Sequence, residues 1–267
     1  MTKTGTVHTE GADIVYDHEG EGLLLLTIAG AGGVAANYAP LARILADEYT
    51  VVRYDRRGNA RSTGDVSRAL DMAQSARDAA AVVRAMGVEK AYVFSHSGGA
   101  NIGLKLAEDV PDLIAGLVVH EPPIIPLLPD AGTWLALVQT VHETYLAQGV
   151  PAAMRLFSSS LVGFDPPAQG PGGAPVAGPR MDFFMAREYL PLSTYMPDLD
   201  LIARNKVSMV AAAGRRSGDA YYARTARLLA QRLGCPYVEF PGNHLAFIND
   251  TAAFASALRA VLHDLAR

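Results

Sequence analysis

Cysteine is almost missing from this chain of 267 residues. The lone Cys235 excludes an intrachain disulfide and any cysteine-held metal cluster; as a small apolar side chain it suits the entry of a strand. Long hydrophobic runs are missing too, since no stretch approaches the roughly 18 apolar residues a membrane-spanning helix needs. Residues 1–8 carry no apolar segment of the kind a secretory signal peptide requires, so the expectation is a cytoplasmic enzyme with no membrane partner. An excess of positive charge is absent: 23 Lys and Arg against 27 Asp and Glu give a formal net charge of −4, which argues against nucleic acid as a partner. What the chain does have is apolar residues, 50% hydrophobic against 19% charged. That is enough for a sizeable core and too much for global disorder. The length suits one α/β domain carrying an insertion. A homo-oligomer is compatible with this composition.

The hydrophobic pattern is that of strands alternating with helices. The first stretch alternates in the manner of a hairpin: residues 7–16 read as extended, 18–22 as a turn and 23–28 as a buried strand. The apolar run from Leu23 to Leu26 is too short for a helix of its own. A helical pattern follows at 38–48, a strand at 50–55, and a helix at 71–86 that Gly87 is placed to stop. Then come a strand at 90–94, a helix at 98–108 and a strand at 113–120. Such alternation implies a mostly parallel sheet covered by helices on both faces. It breaks off after Glu121. Residues 133–147, 152–161 and 181–189 read as helices with no core strand among them, and the Pro- and Gly-rich stretch 165–179 reads as a loop. Strands resume at 207–213 and 237–240, with helices at 220–233 and 252–266. The expected organisation is an α/β core formed by residues 1–121 and 206–267, interrupted by a helical cap insertion at 122–205. No internal repeat is present.

Four short segments carry chemistry. Ser95-His96-Ser97-Gly98-Gly99 falls where a strand ends and a helix begins. A nucleophile elbow needs this layout: a sharp turn lifts the central Ser97 clear of the sheet, and small residues two before and two after let the backbone fold tightly. Ser95 stands where glycine is usual and weakens the steric match. A serine here would also serve as an ordinary helix N-cap. Gly30-Ala31-Gly32-Gly33 follows an early strand, and its backbone N–H groups, from Gly30 or Ala31, could join that of Gly98 in an oxyanion hole. His244 follows the last strand in Gly242-Asn243-His244, which suits the base that a serine hydroxyl needs near neutral pH. His120 at a strand end and His142 in the insertion are further candidates for substrate contact.

The imidazole also needs a carboxylate to fix its tautomer, and two are on offer. Asp219 lies in the loop after the strand that follows the insertion, where the acid is commonly found, but the expected slot falls near Ser217, two residues earlier. Glu121 stands directly after the strand next to the elbow strand, at the edge where open α/β sheets build their sites. Geometry favours Glu121, with Asp219 as the alternative; each has a plain reading as well, a charge at the entrance of the insertion and a helix N-cap.

Together these segments resemble the α/β-hydrolase superfamily over essentially the whole length. The turn from Tyr54 to Ser62 resembles the superfamily's D-x-R-G-x-G-x-S turn, with Ala60 in place of a glycine. A glutamate straight after the strand preceding the cap is a minority arrangement. Haloalkane dehalogenases share it with an aspartate nucleophile, and zearalenone lactonases share it with a serine. The latter have a His-Glu-x-Pro segment, which His120-Glu121-Pro122-Pro123 matches. The resemblance implies an α/β-hydrolase fold, a triad of Ser97, Glu121 and His244, a cap domain, and no metal or organic cofactor. It implies cleavage of a hydrophobic ester or lactone, with cofactor-free haloperoxidase or C–C bond hydrolase chemistry, or a low-turnover ligand-binding role, as alternatives. A dinucleotide site on Gly30-Ala31-Gly32 and Asp55 is the other enzyme reading, but its third glycine would fall at Ala35. Trp134, Met154 and Phe184 are the expected pocket residues among the many apolar side chains of the insertion.

Overall fold

Successive leucines of the run from Leu23 fall on opposite faces of a strand, as a two-residue period requires: Leu24 and Leu26 pack into one apolar cluster and Leu25 into another. The same division repeats along the neighbouring strands, so the sheet is buried on both sides. The computed structural model describes residues 1–164 and 179–267. Their strands are β1 (Lys3–Thr9), β2 (Ala12–Glu19), β3 (Leu23–Ile28), β4 (Tyr49–Tyr54), β5 (Ala91–His96), β6 (Ile114–His120), β7 (Met209–Gly214) and β8 (Tyr237–Phe240). They form one sheet in the order β1-β2-β4-β3-β5-β6-β7-β8. The β1–β2 and β2–β4 pairs are antiparallel and every later pair is parallel.

The helices are α1 (Ala39–Leu45), α2 (Met72–Ala85), α3 (Gly98–Asp109), α4 (Ala131–Gln148), α5 (Val150–Ser159), α6 (Pro179–Phe183), α7 (Tyr189–Thr194), α8 (Leu199–Asn205), α9 (Tyr221–Leu233), α10 (Ala246–Asn249) and α11 (Thr251–Leu265). Helices α1, α10 and α11 cover one face around Tyr38, Phe94 and Phe254, and α2, α3 and α9 cover the other. From α4 to α8 the chain runs between β6 and β7 without a strand among the described residues. None of the described helices is long and apolar enough to cross a membrane.

The sheet order puts the chemistry in one place. After β3 the chain turns to one side to make β4, then crosses back to lay β5 on the other side. The strand order therefore reverses between β3 and β5, where open α/β sheets bind their ligands outside the carboxyl ends. The register sets Ile28 beside Ser95 and His96 beside His120, so the ends of β3, β5 and β6 are level.

Three expectations are corrected. The turn at 18–22 does not close a hairpin, because β2 pairs with β4 and β3 lies beyond it, between β4 and β5. Residues 7–16 are not one extended stretch: Glu10 and Gly11, with φ of 42° and 78°, turn the chain between β1 and β2. Two positive φ values match the right-handed twist of a tight hairpin. Helix α8, absent from the sequence reading, is capped by Asp198, whose carboxylate accepts from the Leu201 N–H at 2.8 Å. The loop expected at 165–179 lies, as far as residue 178, outside the described residues.

Candidate active site

Ser97 sits between β5 and α3 with φ 55° and ψ −131°, a strained conformation for a side chain with a Cβ. The turn holds because its neighbours leave room. A Cβ on Gly99 would lie 2.4 Å from the Ile28 carbonyl oxygen, and one on Gly30 would lie 2.8 Å from Ser97 Cβ. The Ser97 N–H donates to the His120 carbonyl at 2.9 Å. Ser95, the unusual residue of the elbow, is fully buried and donates to the Val118 carbonyl at 3.0 Å. Its space comes from α3, where Gly103 has no Cβ; one there would lie 2.6 Å from Ser95 Oγ.

His244 stands in the loop between β8 and α10. Its Nε2 is 3.1 Å from Ser97 Oγ and its Nδ1 is 2.5 Å from Glu121 Oε2. A carboxylate only accepts, so the Nδ1 proton belongs to this bond and Nε2 is left as an acceptor for the serine hydroxyl. The ring lies between those of Tyr222 and His96, each centroid 4.5 Å away. Glu121 follows β6 with φ 51°, donates its N–H to the Ala212 carbonyl, and accepts the Gly214 N–H on Oε1 at 2.7 Å. Burial pushes its carboxyl up. Its neighbour His120, the bond and charge of His244 and the nearby Ser217 hydroxyl outweigh that and hold it at about 2, so it stays ionised. Ser217 Oγ is itself buried beside this carboxylate without a hydrogen bond of regular geometry.

The structure thus brings Ser97, Glu121 and His244 together and leaves Asp219 apart. The Asp219 side chain is 95% exposed and pairs with Arg227 at 2.8 Å. The carboxyl end of β7 contributes the Gly214 N–H to Glu121, and the loop that follows contributes no acid to the site.

Behind His244 lies a buried imidazole pair. His96 Nδ1 and His120 Nδ1 are 3.0 Å apart, so one carries a proton and the other accepts it. Burial drives both pKa values down, aided for each by the charge of His244; His120 falls to about 4 although Glu121 pulls it upward. Both rings are neutral at pH 7.

A cavity of about 20 Å³ opens beside Ser97 and His244, lined by Ala31, Gly98, Pro123, Phe157, Leu161, Phe184, Tyr189, Leu192, Ser193, Tyr221 and Tyr222. Of the expected pocket residues Phe184 lines it. Trp134 packs against Tyr221 and donates to Asp130, and Met154 is buried in the helices between β6 and β7. His120 and His142 do not line it either. Ala31 and Gly98 do, while Gly30 lies behind them with its carbonyl taken by Arg56 Nη2 at 2.9 Å. Sequence reasoning missed Tyr189, Leu192 and Tyr222, which no motif marks. A larger cavity of about 320 Å³, lined by Tyr54, Arg57, Asp78 and Phe183 among others, contains none of Ser97, Glu121 or His244. Among the described residues no group of three or more His, Cys, Asp or Glu is arranged to hold a metal.

Residues 24–187 match the family model described as the alpha/beta hydrolase fold. The chain is similar to the uncharacterized hydrolase YraK of Bacillus subtilis (strain 168), 28% identical over 263 residues that cover 97% of this chain and 95% of that protein. Among solved structures it is similar to the enol-lactonase from Burkholderia xenovorans LB400, at 19% identity, TM-score 0.74, and coverage of 97% of this chain and 100% of that one. It is similar too to a thermophilic esterase from Thermogutta terrifontis, at 18% identity and TM-score 0.77, covering 99% and 100%. At these identities the two structures speak for the fold alone.

Proposed function

The chain belongs to the alpha/beta hydrolase family and is a hydrolase, and from that premise we propose that it cleaves a carboxylic ester or lactone of a hydrophobic substrate through an acyl-enzyme on Ser97. The observation that carries this reading is the single imidazole in reach of both partners, 3.1 Å from Ser97 Oγ and 2.5 Å from Glu121 Oε2. As Ser97 Oγ attacks the carbonyl carbon, His244 Nε2 takes its proton. Glu121 stabilises the imidazolium across the Nδ1–H bond. The N–H groups of Gly98 and of Ala31, both at the cavity wall, with Gly30 directly behind, receive the developing oxyanion. The imidazolium returns its proton to the leaving alkoxide. Water, deprotonated by His244, then attacks the acyl-enzyme, and the carboxylic acid departs with Ser97 restored. From a lactone the alkoxide stays tethered and the product is one hydroxy acid. No step calls on a metal or an organic cofactor.

The helices between β6 and β7 act here as the cap that sets substrate choice. Their contribution to the wall is apolar and aromatic apart from Ser193, and the space beside Ser97 is about 20 Å³, so a compact acyl group enters with the least rearrangement. A lactone of the zearalenone type is the finer reading, carried by His120-Glu121-Pro122-Pro123; a ring of that size requires the cap side chains to move.

The test is turnover of a chromogenic ester and of a lactone panel with product analysis, together with labelling by a fluorophosphonate. Ser97→Ala lowers ester turnover by a factor of about 10³ or more and abolishes labelling. Glu121→Gln lowers it by about 10³ to 10⁴, and Asp219→Asn stays within about threefold of wild type, as expected of an exposed charge. Near-normal turnover by Ser97→Ala removes the acyl-enzyme reading; the reverse order of the two acid variants returns the acid to the loop after β7. Products other than the acid and alcohol assign the same side chains to haloperoxidase or C–C bond chemistry.

A further inference from the structure

Two charged side chains that the mechanism above does not use are buried directly behind the oxyanion loop. Arg56 follows β4 and is 3% exposed; Glu188 closes the π-helical turn Phe184–Glu188 and is 1% exposed. They lie 132 positions apart in sequence and pair through both prongs, Nη1 to Oε1 at 2.8 Å and Nη2 to Oε2 at 2.7 Å. Asn59 Nδ2 adds a bond to Glu188 Oε1 at 2.8 Å, and Arg56 Nη2 reaches on to the Gly30 carbonyl at 2.9 Å. Gly30 in turn accepts the Gly33 N–H, and the Gly33 carbonyl accepts the Arg56 N–H at 2.8 Å. The guanidinium is therefore clamped between the loop that carries Ala31 and the helical turn that carries Glu188.

The residues on either side of this clamp explain what it joins. The π-helical turn begins at Phe184 and is followed by Tyr189, and both side chains line the cavity beside Ser97. The extra residue of a π turn shifts the helical register, a device frequent at functional sites. Here it lets one short segment present two aromatic rings to the cavity beside Ser97 and a carboxylate to Arg56, at the wall of the cavity of about 320 Å³ that both charged residues line. The carbonyl of Arg187 in this turn is taken by the Leu70 N–H at 2.8 Å, a second tie to the α/β core. On the other side, Gly33 with φ 55° has no Cβ where one would lie 3.1 Å from Arg56 Nε and 2.8 Å from Asn59, so the loop closes tightly over the pair.

We propose that Arg56 and Glu188 are positioning residues, a buried strut that sets the N–H groups of the 30–33 loop against the cap wall at Phe184 and Tyr189, so that the oxyanion hole and the acyl pocket are aligned as one unit. The inference rests on the serine-hydrolase reading above. A lysine at 56 would keep the charge, but one ammonium cannot span both carboxylate oxygens and the Gly30 carbonyl as a planar fork does.

Removing one partner strands a buried charge and can unfold the chain, so the decisive variant is the double replacement Arg56→Met/Glu188→Leu, with Arg56→Lys alongside. Fluorophosphonate titration counts the reactive serines in each preparation. Turnover of a short-chain chromogenic ester is then expressed per titrated site, and affinity is measured for phenylboronic acid, a probe whose tetrahedral adduct places an oxygen in the oxyanion hole. The expected result is a folded double variant with kcat per titrated serine lowered about 10- to 100-fold, KM within about threefold, boronate affinity lowered about 10-fold or more, and no rescue by Arg56→Lys. A strut that only stabilises the fold would lower Tm and the number of titrated sites and leave kcat per site and boronate affinity unchanged; that result overturns the proposal, as does full rescue by Arg56→Lys. Failure of the wild-type protein to be labelled would instead remove the acyl-enzyme reading beneath it, so the two failures are told apart.

Discussion

At the scale of single residues the backbone marks the site as clearly as the side chains do. Ser97 and Glu121 both hold positive φ, at 55° and 51°, and each conformation is fixed by a hydrogen bond from its own N–H to a neighbouring strand end. Such strain persists where surrounding structure over-determines it. Ala60 also has positive φ, 46°, but is exposed and does not line the cavity; it stands in the turn where the resembling family uses glycine. A non-glycine residue in this region costs about 1–2 kcal/mol, while glycine loses about 0.4–1 kcal/mol through the freer unfolded chain. Ala60→Gly is therefore expected to stabilise by about 0.5–1 kcal/mol, read as a higher urea midpoint at unchanged m. A lower midpoint would mean that the Ala60 methyl makes contacts worth more than the strain. The meeting of Ser97, Glu121 and His244 was legible because elbow, strand end and terminal loop are local patterns with fixed chemical demands. Arg56 and Glu188 were not, since nothing local announces that two side chains so far apart will meet; the one trace is an acid flanked by Phe184, Met185, Tyr189 and Leu192, all buried.

At the scale of elements the strand–helix alternation was legible because a doubly covered sheet writes its strands as continuous apolar runs. The β1–β2 hairpin was not, because β1 is an edge strand with an exposed, weakly alternating pattern, and its turn rests on only Glu10 and Gly11. Trp134 and Met154 were misplaced for a related reason: helix periodicity tells which side chains turn inward, and here Met154 is buried among the helices between β6 and β7 while Trp134 is half-buried against Tyr221 of α9, neither of them lining the cavity. Element packing also explains the one weak point of the elbow motif. The Ser95 side chain occupies the volume that Gly103 of α3 leaves free, so the small-residue requirement has moved from the strand to the helix. Gly103→Ala puts a methyl 2.6 Å from Ser95 Oγ. Overpacking of this kind costs about 1–3 kcal/mol, partly offset by about 1 kcal/mol of helix propensity. The double variant Ser95→Gly/Gly103→Ala removes the clash and keeps the gain. Urea denaturation of the four proteins of this cycle should give Gly103→Ala as destabilised, the double variant within about 1 kcal/mol of wild type, and a coupling energy above about 1 kcal/mol. Additive effects would show that the two positions do not share space.

At the scale of the whole molecule, the buried titratable groups under the site set how stability depends on pH. His120 is enclosed by Phe94, Phe240 and Phe254 and faces His96, with Glu121 and His244 beside it. Its pKa lies at about 4, below the ordinary 6.5, with burial as the main cause. The unfolded chain therefore binds more protons than the folded one between these two values. Stability from this group is fully present above about pH 6.5 and is lost as the pH falls to about 4, amounting to about 3 kcal/mol in all. His96, lowered in the same direction and also mainly by burial, adds a loss of the same sign. Glu121, held at about 2 against an ordinary 4.5, continues it: its contribution is complete above about pH 4.5 and disappears towards pH 2. The windows adjoin, so stability is expected to fall without a plateau from about pH 6.5 downward, a large change against a total of about 5–15 kcal/mol. Urea midpoints at pH 7.5, 6, 5 and 4.2 measure it. His120→Asn, whose amide can reach the place of Nδ1 and does not titrate, should start less stable at pH 7.5 and show a shallower decline between pH 6.5 and 4. If that variant keeps the wild-type slope, the proton uptake that weakens the fold enters elsewhere. His96 is then the first group to replace, because its ring touches both His120 and His244 and would carry the charge directly to the imidazole beside Ser97.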